Sequence, residues 1–323
     1  MNHFSPSSRY SLEAPAKVNL TLDILGKRVD GYHELATVMH QIDLVDRIML
    51  EKGGTDIKVC SNSNQIPDNE ENLAYRAARL MYEKFLLREG LQIYLEKNIP
   101  VGAGLAGGST DAAAVITGIN ELFGLQQDIP SLLELGAMIG SDVPFCIMGG
   151  TALARGRGEL LTPMPEGPKL HMVLVKPDFQ ISTRAVYQAF RQEKVPRSPD
   201  TKAFLAAWQD YDMINIAGEL NNVLESVSLA EHPEIAAIKK QLLEAGALNT
   251  LMSGSGPSVF GLFVSQQAAA EAFHKIHKQY KESFVVSSYR KGENNGRETS
   301  LAGQSGFIQT LTGTGTGSHQ GSD

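Results

Sequence analysis

The chain has 323 residues, 42% of them hydrophobic, which is length and apolar content enough for two ordinary domains with their own cores. Its net charge of −7 argues against a nucleic acid or an anionic membrane as the main partner, so an anionic substrate would be met by a few local cations and backbone dipoles. Cys60 and Cys146 have no metal-like spacing, and neither a signal-peptide core nor a transmembrane-length apolar run occurs; a reduced, cytoplasmic enzyme is expected.

Residues 1–10 are polar and expected to be loose. From Glu13 the chain alternates, with Val18, Leu20, Leu22 and Ile24 on one side and Lys17, Asn19, Thr21 and Asp23 on the other, which predicts a half-buried strand. Asp30-Gly31 marks a turn. Tyr32-His33 then starts a second extended run through about Ile42, and short strands are predicted at Ile48–Glu51 and Asp56–Cys60. Leu73, Ala77, Leu80 and Phe85 form a helical stripe, and Leu91, Ile93 and Leu95 another strand.

That strand delivers the chain to Pro100, Val101, Gly102, Ala103, Gly104, Leu105, Ala106, Gly107, Gly108, Ser109 and Thr110. Glycine permits positive φ and brings no Cβ, so such a loop turns backbone N–H groups inward, and the helix that follows adds its own free N–H groups and positive dipole end. Phosphate is the natural guest. Gly102-x-Gly104-x-x-Gly107 fits a dinucleotide fingerprint with Asp128 at a suitable distance, but a second helix, not a strand, follows the first. No lysine follows the last glycine, so the P-loop pattern fails too. A plain flexible linker explains the glycines but not their opening onto a helix start.

After that helix, a second is predicted at about Ser131–Met138, ending at Gly140, with Ser141-Asp142-Val143-Pro144 as a loop. Strands follow at Thr151–Arg155 and Glu159–Leu161. Pro163–Pro168 reads as a domain boundary. Beyond it come a strand (His171–Val175), helices at about Thr183–Phe190, Lys202–Trp208 and Pro233–Ala245, two strands flanking Ser253–Pro257, a helix (Gln267–Lys281) and a last strand (Phe284–Tyr289). Without the extra helices the order is β-α-β-β-α-β, the split βαβ arrangement. From 292 to 323 the composition predicts a disordered tail.

Ala14–Leu22, Pro100–Ala114 and Leu251–Gly261 resemble, in order and spacing, the three motifs of the kinases named after galactose, homoserine, mevalonate and phosphomevalonate. Within that superfamily Arg28–His33, Ile139–Phe145, Gly150–Gly158 and Asn222–Glu225 resemble the branch acting on a cytidyl diphosphate-linked methylerythritol in the non-mevalonate isoprenoid route. The resemblance covers about residues 11 to 290. It implies an α+β protein of two domains: residues 11–165, like the second domain of ribosomal protein S5, and residues 166–291, ferredoxin-like. It also implies transfer of the γ-phosphoryl of ATP to the 2-hydroxyl of the methylerythritol moiety, with Mg²⁺. A sister kinase for homoserine, mevalonate or a sugar is the alternative, and a nicotinamide-dependent oxidoreductase a more distant one.

On this basis Lys17 and Asp142 are the candidate catalytic pair, although an Asp before a helix is often only a cap. Pro100–Thr110 is the candidate ATP loop, with Ser109 or Thr110 toward Mg²⁺ and also available as helix N-caps. Asp111 reads as a first-turn acid favoured by the helix dipole. Asn19, Tyr32, His33 and Tyr187 are candidates for the cytidyl substrate, the aromatic rings offering a face and the imidazole an edge to a nucleobase. His274 and His277 read as a solvated helix face, Cys146 as a buried thiol, and Asn222–Glu225 receives no role.

Overall fold

Two very long strands carry the fold of this computed structural model, which describes residues 8–292. The expected tail, from residue 293 on, and residues 1–7 lie outside the described residues. Strand β1 (Arg9–Lys27) and strand β2 (His33–Lys52) form an antiparallel hairpin. At its tip Gly31 takes φ 85°, the Arg28 N–H donates to the Tyr32 carbonyl at 2.8 Å, and the Tyr32 N–H donates to Asp30 at 3.1 Å.

β2 is one continuous strand where the sequence suggests two. Asp43, Asp46 and Arg47 interrupt the apolar pattern, yet Asp46 is fully buried in an ion network and Asp43 accepts the Ser287 N–H at 2.7 Å. The polar face of β1 departs from expectation in the same way: Lys17, Asn19 and Thr21 are 5%, 3% and 0% exposed, so the strand is covered on both faces.

The first half continues with β3 (Ile57–Ser61), α1 (Leu73–Phe85), β4 (Leu91–Glu96), α2 (Gly107–Leu122), α3 (Ile129–Ile139), α4 (Val143–Met148), β5 (Thr151–Gly156) and β6 (Leu160–Pro163). Asn72 caps α1 and Asp128 caps α3 through their side-chain oxygens, the expected chemistry of helix starts. The expected loop at Ser141–Pro144 is instead the entry to α4, whose proline stands in the first turn, where no N–H is needed.

The second half contains β7 (His171–Lys176), α5 (Thr183–Ala189), a 3₁₀ turn (Gln192–Lys194), α6 (Thr201–Gln209), α7 (Met213–Gly218), β8 (Asn221–Asn222), α8 (Glu225–Glu231), α9 (Pro233–Glu244), β9 (Asn249–Met252), β10 (Val259–Phe263), α10 (Gln266–Ile276) and β11 (Glu282–Ser287). The short elements α4, α7, β8 and α8 are absent from the sequence reading because one or two turns show no period. α10 ends at Ile276 rather than Lys281, short of the charged stretch.

Two sheets result. One runs β3-β4-β2-β1-β8, with β5 on the first half of β2 and β6 on β5; the other runs β11-β7-β10-β9. The second is the split βαβ order that the chain pattern predicts. Residues alternate between its faces. Met172, Leu174, Phe260 and Leu262 pack toward β1, β2, α6 and α7, while Val173, Val175, Val259 and Phe263 pack against α9 and α10. The other face of the first sheet carries α1, α2 and α3. α2 is buried almost all round, as a helix without a polar face must be. A polar stitch joins the sheets: His40 bonds Thr151 at 2.7 Å and Ser288 at 2.9 Å, and Ser288 accepts the Leu170 N–H at 2.9 Å.

Candidate active site

The pairing of β1 with β2 shifts register between Pro15 and Lys17 and again between Asn19 and Thr21. Such irregularities re-aim side chains, and here they bracket the two polar residues of the first motif. Lys17 Nζ donates to Asn19 Oδ1 at 2.8 Å, Asn19 Nδ2 to Thr37 Oγ1 at 2.8 Å, and Thr37 Oγ1 to the Thr21 carbonyl at 2.6 Å. The ammonium is thus held from one side and reaches Asp142 Oδ2 at 3.4 Å. Asp142 precedes α4 but makes no side-chain cap bond, so its carboxylate, one-third exposed, is left for other work. Asn19, expected on the substrate, has its carboxamide engaged by Lys17 and Thr37 and orients the lysine.

The Gly-rich loop lies beside this pair: the Lys17 N–H donates to the Leu105 carbonyl at 3.1 Å. Gly102, Gly104 and Ala106 take φ of 67°, 75° and 59°, while Ala103 and Leu105 between them are buried in the core. Side chains anchor the loop on one side and leave its backbone to the other. α2 starts at Gly107, with Ala106 at its N-cap and no side-chain cap bond. The N-cap expectation for Ser109 and Thr110 is therefore corrected, because the helix begins before them. Thr110 is buried and donates its hydroxyl to the Pro15 carbonyl at 2.9 Å, whereas Ser109 remains half-buried.

A second glycine loop, Ser253–Pro257, closes onto the first. Ser253 Oγ donates to the Gly104 carbonyl at 3.1 Å. A Cβ on Gly254 would stand 3.4 Å from Asn19 Oδ1 and 3.8 Å from Lys17 Nζ. Asn222, given no role in the sequence reading, donates to the carbonyls of Met252 at 2.8 Å and Gly254 at 2.7 Å. Glu225 accepts the Met252 N–H at 2.8 Å. Both therefore hold the second loop; their place inside a motif was visible, their partners were not.

Two of the aromatic candidates meet, and Tyr187 lies near enough to Asp142 to feel its charge. The His33 ring lies 5.5 Å from that of Tyr187, and Tyr32, 56% exposed, has the Arg157 guanidinium 5.1 Å from its centroid. Burial, with the charge of Asp142 behind it, pushes the Tyr187 phenol well above its ordinary range. Burial and then Lys27 push His33 down, which favours a neutral imidazole with one donor and one acceptor.

Asp111 is no surface acid. It is 3% exposed and pairs with Lys97 at 2.6 Å, and Lys97 also pairs with Asp46. Burial pushes the Asp111 carboxyl above its ordinary value, Lys97 opposing and Asp46 adding to the shift. Burial lowers Lys97, but the two carboxylates outweigh it and hold the ammonium above its ordinary value. Among the described residues no group of three His, Cys, Asp or Glu forms a metal site. His277 stacks on Phe273 at 5.0 Å.

The chain matches the GHMP kinases N terminal domain over residues 72–150 and the GHMP kinases C terminal family over residues 201–282. A 4-diphosphocytidyl-2-C-methyl-D-erythritol kinase of Syntrophomonas wolfei is 58% identical over 278 residues, 86% of this chain and 98% of the relative. This chain belongs to that kinase family. The 4-diphosphocytidyl-2-C-methyl-D-erythritol kinase of Geobacillus thermodenitrificans is 51% identical, over 86% of this chain and 96% of its own length. A crystal structure of a 4-(cytidine 5'-diphospho)-2C-methyl-D-erythritol kinase superposes with a TM-score of 0.75 at 35% identity, covering 87% of this chain and all (100%) of the other. Homoserine kinase from Cytophaga hutchinsonii, at 22% identity and a TM-score of 0.70 over 90% of this chain and 97% of its own, shares the fold. The α+β kinase fold expected from the three motifs is the one present, and no helix among the described residues is long and apolar enough to cross a membrane.

Proposed function

We propose that this kinase transfers the γ-phosphoryl of ATP to the 2-hydroxyl of 4-(cytidine 5'-diphospho)-2-C-methyl-D-erythritol, giving ADP and the 2-phosphate. The observation that carries the reading is the Lys17–Asp142 pair at 3.4 Å, beside the two glycine loops, with Tyr187 near enough to Asp142 to feel its charge and His33 beside Tyr187. ATP phosphates lie along the backbone of Pro100–Ser109 and the first N–H groups of α2, which the helix itself does not use. The cytosine meets Tyr32, His33 and Tyr187.

Asp142 accepts the proton of the 2-hydroxyl as its oxygen bonds to phosphorus and the bond to the ADP oxygen breaks. Lys17 faces the negative charge of the transferring group, the electrostatic term on which loose phosphoryl-transfer transition states depend. Mg²⁺, when bound, neutralises phosphate charge. It takes most of its ligands from phosphates and water, so one hydroxyl such as Ser109 suits it better than a carboxylate cluster. Free Cys60 and Cys146 fit a reducing, cytoplasmic setting.

The test is ADP release with the cytidyl alcohol set against homoserine, mevalonate and galactose. Asp142→Asn and Lys17→Met should each lower kcat by about 10²-fold or more while remaining folded. Turnover of another alcohol in place of the cytidyl one refutes the substrate, and near-wild-type turnover in either variant refutes the roles.

A further inference from the structure

The phosphate loop is anchored at both ends to a single buried ammonium. At its entry Asp46 Oδ1 accepts the N–H groups of Asn98 at 2.6 Å and Ile99 at 2.9 Å. Lys97 pairs with the other oxygen of Asp46 and with Asp111 Oδ2 at 2.6 Å, and Asp111 sits in the opening turns of α2, the exit of the loop. The backbone of Lys97 is fixed as well, its N–H donating to Asn62 Oδ1 at 2.8 Å. A Cβ on Gly107 would lie 3.2 Å from Ile99 Cγ2 and 3.5 Å from Lys97 Nζ, so the helix start is pressed directly onto the clamp.

All three charged side chains are at most 4% exposed, and Asp111 Oδ1 is buried without a hydrogen-bond partner. Buried ion groups of this kind contribute little net stability compared with apolar replacements and are best attested as devices that fix a register. Here the register they fix is that of Pro100–Ala106, whose backbone must point at phosphate oxygens within a few tenths of an ångström. We propose that Asp46, Lys97 and Asp111 are positioning residues for ATP, holding the loop in its phosphate-binding shape without touching the nucleotide. The proposal rests on the reading of Pro100–Thr110 as the ATP loop.

Equilibrium titration with ADP tests it without reference to any acceptor. Asp111→Asn keeps the shape and leaves Lys97 paired with Asp46. It should weaken ADP about tenfold and raise KM for ATP by a similar factor, the range of residues that act on a site through others, while KM for the cytidyl alcohol stays unchanged. Because Lys97→Met alone would strand two carboxylates, the neutral triple Asp46→Asn, Lys97→Met, Asp111→Asn is the second variant, with thermal unfolding measured in parallel. A folded triple variant that binds ADP as the wild type does overturns the clamp. So does Asp111→Asn if it lowers stability alone or raises both KM values equally. A wild-type protein that does not bind ADP overturns the loop reading itself.

Discussion

Gly104→Ala is the sharpest probe of how the two glycine loops meet. Gly104 has φ of 75° and a Cβ there would fall 2.5 Å from the Ser253 carbonyl oxygen and 2.9 Å from that of Gly256. Both obstacles are backbone, so no side-chain rotation relieves them. Ordinary contact for a methyl begins near 3.5 Å, and one loop must retreat by about 1 Å. That retreat breaks the Ser253 Oγ bond to the Gly104 carbonyl, now 3.1 Å, at about 1 kcal/mol. The left-handed backbone adds ~1–2 kcal/mol for any residue with a Cβ. The expected loss is therefore about 2–3 kcal/mol in urea unfolding. Because Gly254 lies over Lys17 and Asn19, kcat should fall by about 10²-fold, as for other displacements near 1 Å. Gly31→Ala is the control: φ is 85° with open space around it, so it costs only the backbone strain and leaves kcat alone. A Gly104→Ala protein with stability and turnover within twofold of Gly31→Ala would show that the contact between loops does not matter.

Two further outcomes follow from buried polar groups. Asn222→Asp exchanges a donor of two hydrogen bonds for an acceptor facing the carbonyls of Met252 and Gly254; it should destabilise by about 2–4 kcal/mol and reduce kcat, and Asn222→Asp unfolding at the wild-type urea midpoint would refute the strut. Burial, helped by the charge of Arg290, lowers His40 to about 3. The unfolded chain binds a proton there near pH 6.5 and the folded one does not, so this contribution is whole above 6.5 and is lost as pH falls toward 3, at ~1.4 kcal/mol per pH unit. Urea unfolding at pH 6 and pH 5 should show the wild type losing that much more than His40→Gln. Equal losses in the two proteins would refute it.

Much of this architecture could be read from residue patterns. The alternation of Leu91, Ile93 and Leu95 puts those side chains in the core as expected, whereas the core face of α1 is Ala74, Ala77, Ala78 and Met81, with the expected Leu73, Leu80 and Phe85 only partly buried at its margin. Lys17 and Asp142 were named because each lies in a motif, and they meet. What stayed hidden were partners far apart in the chain. Asp46 falls in the gap between two expected strands because a charge in an apolar run ordinarily faces water; only the arrival of Lys97 makes it part of the interior. Thr110 and Asp111 looked like the surface of a helix start because nothing local reveals that β1 covers one and Lys97 the other. Asn222 receives no role in the sequence reading because its partners, the carbonyls of the second glycine loop, are distant in the chain.

The two-residue strand β8 pairs in parallel with β1, Thr21 beside Asn221 and Leu22 beside Asn222, and the Val223 N–H donates to the Leu22 carbonyl at 3.0 Å. This sets an order of assembly. A chain leaving the ribosome has Lys17 and Asp142 long before it has Asn222 and the loop that Asn222 supports. Until then β1 has no strand beside it at Thr21 and Leu22, the kind of edge that invites wrong pairing in nascent chains. Contacts this distant in sequence form slowly. Turnover is therefore expected late in synthesis, and a ribosome stalled before residue 221 should display a chain that has Lys17 and Asp142 but no kinase activity.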